Sequence, residues 1–272
     1  MAVVTRKFIS ILAFIATFIF LLSAATWHYK PDLKLPSLKN LGDNLGDDLG
    51  EIKEIKEIEE ERGPKPRYIF VDLGANAADS LEAFLGVEGA RFQYDFPRPE
   101  WATHREAEIF LFEANPVFNE ALLDAKQRYS EQHIPVTIFP STVADVRDGT
   151  RTFYLDLVNE ANSFWGSSVF ASHPDVQKSH SNGTELTAMN IARWLLMNTL
   201  PRDFVVVKMD IEGSEYELIP HFAEMGVWKV IDYLLVEWHT GLPDEATQKL
   251  GGDAARFLES KGVQLPQYNS PA

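Results

Sequence analysis

Two short apolar runs, each ending near an acid, carry the chemistry of this chain. Tyr68-Ile69-Phe70-Val71-Asp72-Leu73 leads into Gly74-Ala75-Asn76, and Ile109-Phe110-Leu111-Phe112 leads into Glu113-Ala114-Asn115-Pro116. Gly74 allows a sharp turn and a close approach of backbone to ligand. The helix after such a turn offers free amide donors to a carboxylate or phosphate. Glu113 at a second strand tip could accept both hydroxyls of a ribose, or could simply favour the helix start that follows it. The two together point to a ribose-bearing ligand at the carboxyl ends of an open α/β sheet. The three-glycine dinucleotide fingerprint is missing, since Ala75, Ala77 and Ala78 surround Gly74. Glu113 also lies about 40 residues on, rather than the ~20 of that fingerprint, which disfavours a nicotinamide cofactor.

Two further strand ends carry charge. In Val205-Val206-Val207-Lys208-Met209-Asp210-Ile211-Glu212-Gly213-Ser214-Glu215, Lys208 and Asp210 alternate onto one face. Charges in an otherwise apolar strand are costly unless paired or used, so these two form either a structural pair beneath a pocket or part of its reactive wall. In Leu234-Leu235-Val236-Glu237-Trp238-His239, Glu237 and His239 again share a side. His239 has the chemistry of a general base, although a lone histidine is more often a hydrogen-bonded structural residue. Asp210, Glu237 and His239 could ligate an ion, but their spacing dictates no geometry, and no metal is assigned.

The elements that must position these residues alternate short apolar runs with amphipathic stretches, the pattern of a parallel sheet with covering helices. Strands are expected at 68–73, 109–112, 136–139, 152–157, 204–209 and 233–236. The unbroken apolar runs at 205–207 and 234–236 fit central strands covered on both faces. Asn115-Pro116 reads as an N-cap followed by proline, with Phe118, Ala121, Leu122 and Ala125 forming a face behind it. Ile191, Trp194 and Leu195 mark a second helix. Tyr216, Ile219 and Phe222 mark a third, and Ala255, Phe257 and Leu258 a last one. Residues 86–105 fit nothing regular and are expected to cover the sheet edge or the pocket mouth.

The bulk numbers narrow the function classes. The chain has 272 residues, 45% of them hydrophobic, enough for one large domain plus appendages. Against 25 Lys and Arg stand 40 Asp and Glu, a net charge of −15. No basic face of the kind that neutralises phosphates is apparent, so nucleic acid is not an expected partner. Cysteine is absent, which excludes disulfides, thiolate zinc sites and cysteine nucleophiles together.

Residues 8–25 are uncharged and rich in Phe, Ile, Leu and Ala. Arg6 and Lys7 precede them, and Trp27 and Tyr29 follow where an interfacial belt would lie. This is about long enough for one span, near the short end of the range. It is read as a signal-anchor with residues 1–7 in the cytosol. The alternative is a signal peptide cleaved after Ser23-Ala24-Ala25 and a secreted product. Either route delivers the remainder to the lumen of the endoplasmic reticulum or Golgi. Residues 26–66 read as a stem, favoured over a dimerising coil because the isoleucines of the 51–61 segment recur every third residue and hold no heptad seam. The domain is set at 67–272. Asn182-Gly183-Thr184 is a glycosylation sequon that a lumenal topology would expose.

Taken in order, Val71-Asp72-Leu73-Gly74-Ala75-Asn76, Phe112-Glu113-Ala114-Asn115-Pro116 and Lys208-Met209-Asp210-Ile211-Glu212-Gly213-Ser214-Glu215 resemble the FkbM-type S-adenosylmethionine-dependent methyltransferases, in a fungal branch that often carries an amino-terminal membrane segment. The resemblance runs from about Tyr68 to His239 and is most specific in the third motif. It implies a Rossmann-like class I methyltransferase fold, a mostly parallel central sheet with helices on both faces, here behind an N-terminal transmembrane helix. It implies S-adenosylmethionine as cofactor. Asp72, Gly74 and Asn76 would lie at the methionine end, Glu113 at the ribose, and the 141–145 turn with Asp145 at the adenine. Asp210 would face the transferred methyl, with Lys208 and His239 completing the catalytic set. Oxygen of a sugar, glycan or other small hydroxylated acceptor is the implied target. Ala78 departs from the family's usual glycine, and a methyl there would crowd the cofactor or stiffen the turn. The alternative function is therefore a binding or scaffold domain without methyl transfer. The short tail after His239 leaves little room for the final antiparallel hairpin of this fold.

Overall fold

A computed structural model of the protein describes residues 65–160 and 164–269. The cytosolic tail, membrane segment and nearly all of the stem expected from the sequence lie outside the described residues. Among the described residues no helix is long and apolar enough to cross a membrane.

Five parallel strands form the central sheet: β1 (Tyr68–Leu73), β2 (Glu108–Phe112), β3 (Val136–Phe139), β7 (Phe204–Met209) and β8 (Tyr233–Val236). Their order is β3-β2-β1-β7-β8. The chain builds outward from β1 to β3 and then returns to the other side of β1. The strand order thus reverses between β1 and β7, the place where open α/β sheets open a crevice for ligand.

Alternation along β1 sends Ile69, Val71 and Leu73 to one core and Tyr68 and Phe70 to the other. Helices α1 (Asp79–Phe84) and α2 (Asn119–Ser130) cover the Phe70 face. Phe70 stacks on Phe84 at 4.0 Å between ring centroids. Helices α4 (Ile191–Asn198), α5 (Glu215–Met225) and α6 (Glu245–Ser260) cover the other face through Leu195, Ile219, Phe222 and Leu258. A short helix, α3 (Pro174–Lys178), lies apart from these layers in sequence. Residues 86–103 stay irregular, yet Phe96 packs edge-on against both Phe70 and Phe84, so this segment closes the sheet face beside α1.

Three expectations are corrected. Residues 141–145 are largely a strand, β4 (Thr142–Asp145), rather than a turn. It belongs to a second sheet of order β4-β6-β5, with β5 (Gly149–Phe153) and β6 (Thr184–Asn190). The strand expected at 152–157 therefore lies earlier and outside the central sheet. Within residues 154–157 only Tyr154 makes a bridge, to Ser168, and Leu157 is exposed. Phe257 is also exposed, lying beneath the Lys261 ammonium instead of in the core. After β8 the described chain forms α6 and returns only as a parallel bridge of Gln264 to Tyr233.

Candidate active site

The loops after β1, β2, β7 and β8 converge on one cleft at the carboxyl edge of the sheet, and β4 and β5 wall one side of it with Val143, Ala144 and Phe153. The first loop is fixed by Gly74 at φ +87°. A Cβ there would stand 1.8 Å from the carbonyl oxygen of Asp210, so only glycine lets the β1 turn pass the β7 turn. The amides of Gly74 and Ala75 both donate to the Phe112 carbonyl at 3.0 Å, and the Asp210 amide donates to the Leu73 carbonyl at 3.0 Å. The three loops are thereby stitched into one floor.

Glu113 sits between two of these turns. Its Oε2 accepts from the Asn76 amide at 2.7 Å and its Oε1 from the Asn115 amide at 2.6 Å. Burial pushes its carboxyl up to about 7, against the pull of those two donors and of Lys208. Asn115 caps the turn that follows, accepting from the Val117 amide at 3.1 Å, as its place before Pro116 leads one to expect.

Beneath the floor, Lys208 is 1% exposed. Its Nζ donates to the Gly74 carbonyl at 2.8 Å and lies 3.2 Å from Asp72 Oδ1 and 3.4 Å from Asp210 Oδ2. Burial alone would pull this ammonium down; Asp72 and Asp210 outweigh it and hold it above the ordinary lysine value. Burial pushes the Asp72 carboxyl up to about 6 while Lys208 opposes the shift. Lys208 thus fixes the β1 turn and Asp210 at once.

On the far side stands His239. Its Nδ1 is 3.0 Å from Glu215 Oε1, while its Nε2 is 3.8 Å from Asp210 Oδ1 and 3.5 Å from Glu212 Oε2. Burial lowers its basicity, but Glu215, Glu212 and Asp210 together push it up to about 9. The three surrounding carboxylates thus favour the charged ring, and a role as base requires that the ring first give up that proton.

Of the residues singled out from the sequence, Gly74, Asn76, Glu113, Lys208, Asp210 and His239 line this one cleft. Asp72 lies beneath it, paired with Lys208. Asp145 does not line it: its Oδ2 is 3.3 Å from Arg151 and its Oδ1 accepts from the Arg147 amide. Ala78 is not in the cleft wall either. It is 1% exposed, packed in the core on the Phe70 face, and adopts φ +73° at the N-cap of α1. Its methyl therefore strains the turn rather than crowding the cleft. Asn162 and Ser163 lie outside the described residues, but Trp165 lines the mouth, where the Arg91 guanidinium stacks 4.6 Å from its ring centroid.

Three participants had no assigned role in the sequence reading. Glu215, 0% exposed, accepts from the Ile211 and Gly213 amides and faces His239. Glu212 takes φ +52°, a conformation no spacing rule reveals in a non-glycine residue. His173 reaches the site from just before α3, its Nε2 3.5 Å from Glu212 Oε2. Its only signal is a histidine followed by proline at a helix start.

The amides of residues 74–78 are all taken by protein acceptors, so the free donors expected after Gly74 are not in this turn. What fits the cofactor implied above is a glycine turn that brings backbone close to the cleft, an acid held at a strand tip, and an acid facing the centre. Comparison with protein families matches residues 72–265 to the methyltransferase FkbM domain. No curated protein and no solved structure gives a match.

Proposed function

The chain belongs to the methyltransferase FkbM domain family, and from that premise we propose that it is an S-adenosylmethionine-dependent O-methyltransferase acting on a sugar or another small hydroxylated acceptor. The single observation that carries this reading is the convergence of Gly74, Glu113 and Asp210, from three different strand ends, on one cleft at the switch point of the sheet.

In this reading the turn at Gly74 and Asn76 holds the amino-acid end of the cofactor, and Glu113 holds its ribose. The bound cofactor supplies an electrophilic methyl group. Methyl transfer is a displacement, so the protein's work is alignment and removal of one proton. The acceptor oxygen would bond the methyl carbon as the cofactor's sulfur–carbon bond breaks and the thioether leaves, and in this reading Asp210 takes the proton that the acceptor hydroxyl loses. Lys208 keeps the Asp210 carboxylate oriented from below. His239 is a donor to the acceptor while charged, and a second proton acceptor once it is neutral. Trp165, stacked with Arg91, borders the cleft where an aromatic ring suits a sugar.

The apolar residues 8–25 and the sequon at Asn182 support a membrane-anchored, lumen-facing enzyme, or a secreted one if the leader is removed. Asn182 is exposed, as an acceptor asparagine must be. The partners proposed are a small-molecule or glycan acceptor and, through residues 8–25, the bilayer.

Calorimetric titration of S-adenosylmethionine and S-adenosylhomocysteine into the full chain tests the reading, with Glu113→Ala as control. Binding that Glu113→Ala abolishes supports it. A folded chain that binds neither compound favours the scaffold alternative. Asp210→Asn should then retain cofactor binding and lose turnover; full turnover in that variant removes Asp210 from the chemistry.

A further inference from the structure

Three donor atoms on the His239 side of the cleft converge without touching. Asp210, Glu212 and His239 each offer one ligand atom, all within 4.8 Å of one another. The Nε2 separations of 3.5 and 3.8 Å are too long for charge-assisted hydrogen bonds, which fall near 2.7–2.9 Å. They are close to the spacing of two ligands on one ion: donors about 2.1 Å from a tetrahedral centre lie roughly 3.4 Å apart. All three residues remain partly open to the cleft, so an ion has a way in.

The surrounding groups give the Nδ1 atoms of the two histidines opposite roles. His173 Nδ1 accepts from the Asp175 amide at 3.2 Å, so its Nε2 carries the hydrogen and points it at Glu212. His239 faces the Glu215 carboxylate with Nδ1, at 3.0 Å. A carboxylate there fixes a hydrogen on Nδ1, so Nε2 is the nitrogen a cation would take, displacing the proton that the neighbouring acids otherwise favour there; this is the arrangement in which metal-ligating histidines are held. Glu215 also receives the Ile211 and Gly213 amides at 2.8 and 2.9 Å, which are the backbone neighbours of Asp210 and Glu212. One fully buried carboxylate thus braces the His239 ring and the backbone turn that carries Asp210 and Glu212. The Ser168 hydroxyl donates to the Glu212 carbonyl at 2.7 Å and holds that residue in its left-handed conformation.

We infer that Asp210, Glu212 and His239 form a site for one divalent transition cation, with Glu215 and His173 as the groups that position the ligands. One imidazole nitrogen and two carboxylates suit Mn²⁺, Co²⁺ or Zn²⁺. Three protein ligands leave coordination positions open to the cleft. An acceptor with two neighbouring oxygens, such as a vicinal diol, is the substrate class that would fill them, and this last step rests on the methyl-transfer reading.

The test is calorimetric titration of MnCl₂, CoCl₂ and ZnCl₂, each alone, into the metal-stripped full chain, with visible absorption for Co²⁺. The expected result is one saturable site per chain, weakened at least tenfold by Glu212→Gln. If that variant does not unfold cooperatively, His173→Ala replaces it and should weaken binding several-fold. Saturable binding by none of the three ions, or equal binding by the folded variant, overturns the inference. S-adenosylmethionine titrated into the same samples separates the two readings. Cofactor binding without cation binding sinks only the cation site, and cation binding without cofactor binding sinks only methyl transfer.

Discussion

Asp72 and Lys208 stand directly opposite each other in the parallel register of β1 and β7, with 3.2 Å between carboxylate and ammonium and almost no exposure of either. Neither Asp72 oxygen has a hydrogen bond of standard geometry, so the ion pair is its principal compensation. Removing one partner of a buried pair leaves an uncompensated charge and costs about 3–5 kcal/mol, whereas replacing both can be close to neutral. Lys208→Met is therefore expected to lower stability by about that amount in urea unfolding. Asp72→Asn combined with Lys208→Met should recover most of the loss. If the double variant is as unstable as Lys208→Met alone, the pair is not what Lys208 supports.

Gly74→Ala is a backbone collision rather than a loss of freedom alone. The added Cβ would lie 1.8 Å from the Asp210 carbonyl oxygen, at a φ of +87°. Either the β1 turn or the β7 turn must move, and both line the cleft. The variant is expected to lose cofactor binding at least a hundredfold and to be destabilised by more than the 1–2 kcal/mol typical of a left-handed non-glycine residue. Titration and thermal unfolding read the two effects separately. Retained affinity would mean that the turn does not hold the ligand.

How far the sequence discloses this site depends on what kind of signal each residue leaves. The apolar runs at β1, β7 and β8 mark their strands to the residue, because a strand covered on both faces has few polar positions. β6 leaves no such mark: Thr184, Glu185 and Thr187 make it polar, and only Ala188 is buried. Lys208 and Asp210 can be placed on one face from alternation alone. Their meeting with Asp72 cannot, since it depends on the register between strands far apart in the chain. His173 and Glu215 act by holding other side chains, and a positioning role leaves no local pattern. Asp145 looked like a ligand residue by its place in a motif, and tertiary structure gave it Arg151 instead.

Ala78→Gly separates crowding from strain. The Ala78 methyl lies in the core beside α1 and not in the cleft wall. Glycine relieves a left-handed alanine, worth about 1 kcal/mol, and gives up a buried methyl of about 0.8 kcal/mol. The unfolding free energy should thus change by less than about 1 kcal/mol, and cofactor affinity by less than twofold. A tenfold gain in affinity in Ala78→Gly would show that the methyl does reach the ligand.

The pH dependence of cofactor affinity should follow Glu113. Burial raises its carboxyl to about 7, opposed by the Asn115 and Asn76 amides and by Lys208, with Asp72 adding to the rise. The sign is opposite to that of an exposed, paired acid. Because the folded value lies above the ordinary carboxylate value, the free protein binds more protons than the unfolded chain between about pH 4.5 and 7. Glu113 therefore stabilises the free protein least above pH 7. Ribose hydroxyls donate to an ionised carboxylate, so cofactor binding favours the deprotonated form and must displace the proton below pH 7. Affinity is expected to climb toward a plateau above pH 7 and to fall by up to tenfold per unit below it. The cofactor's own amine also titrates, so the quantity to measure is the difference between the wild-type chain and Glu113→Gln across about pH 5.5 to 8.5. Glutamine should bind more weakly at high pH and lose the slope. Parallel profiles for the two proteins would show that the ribose does not meet an ionised Glu113.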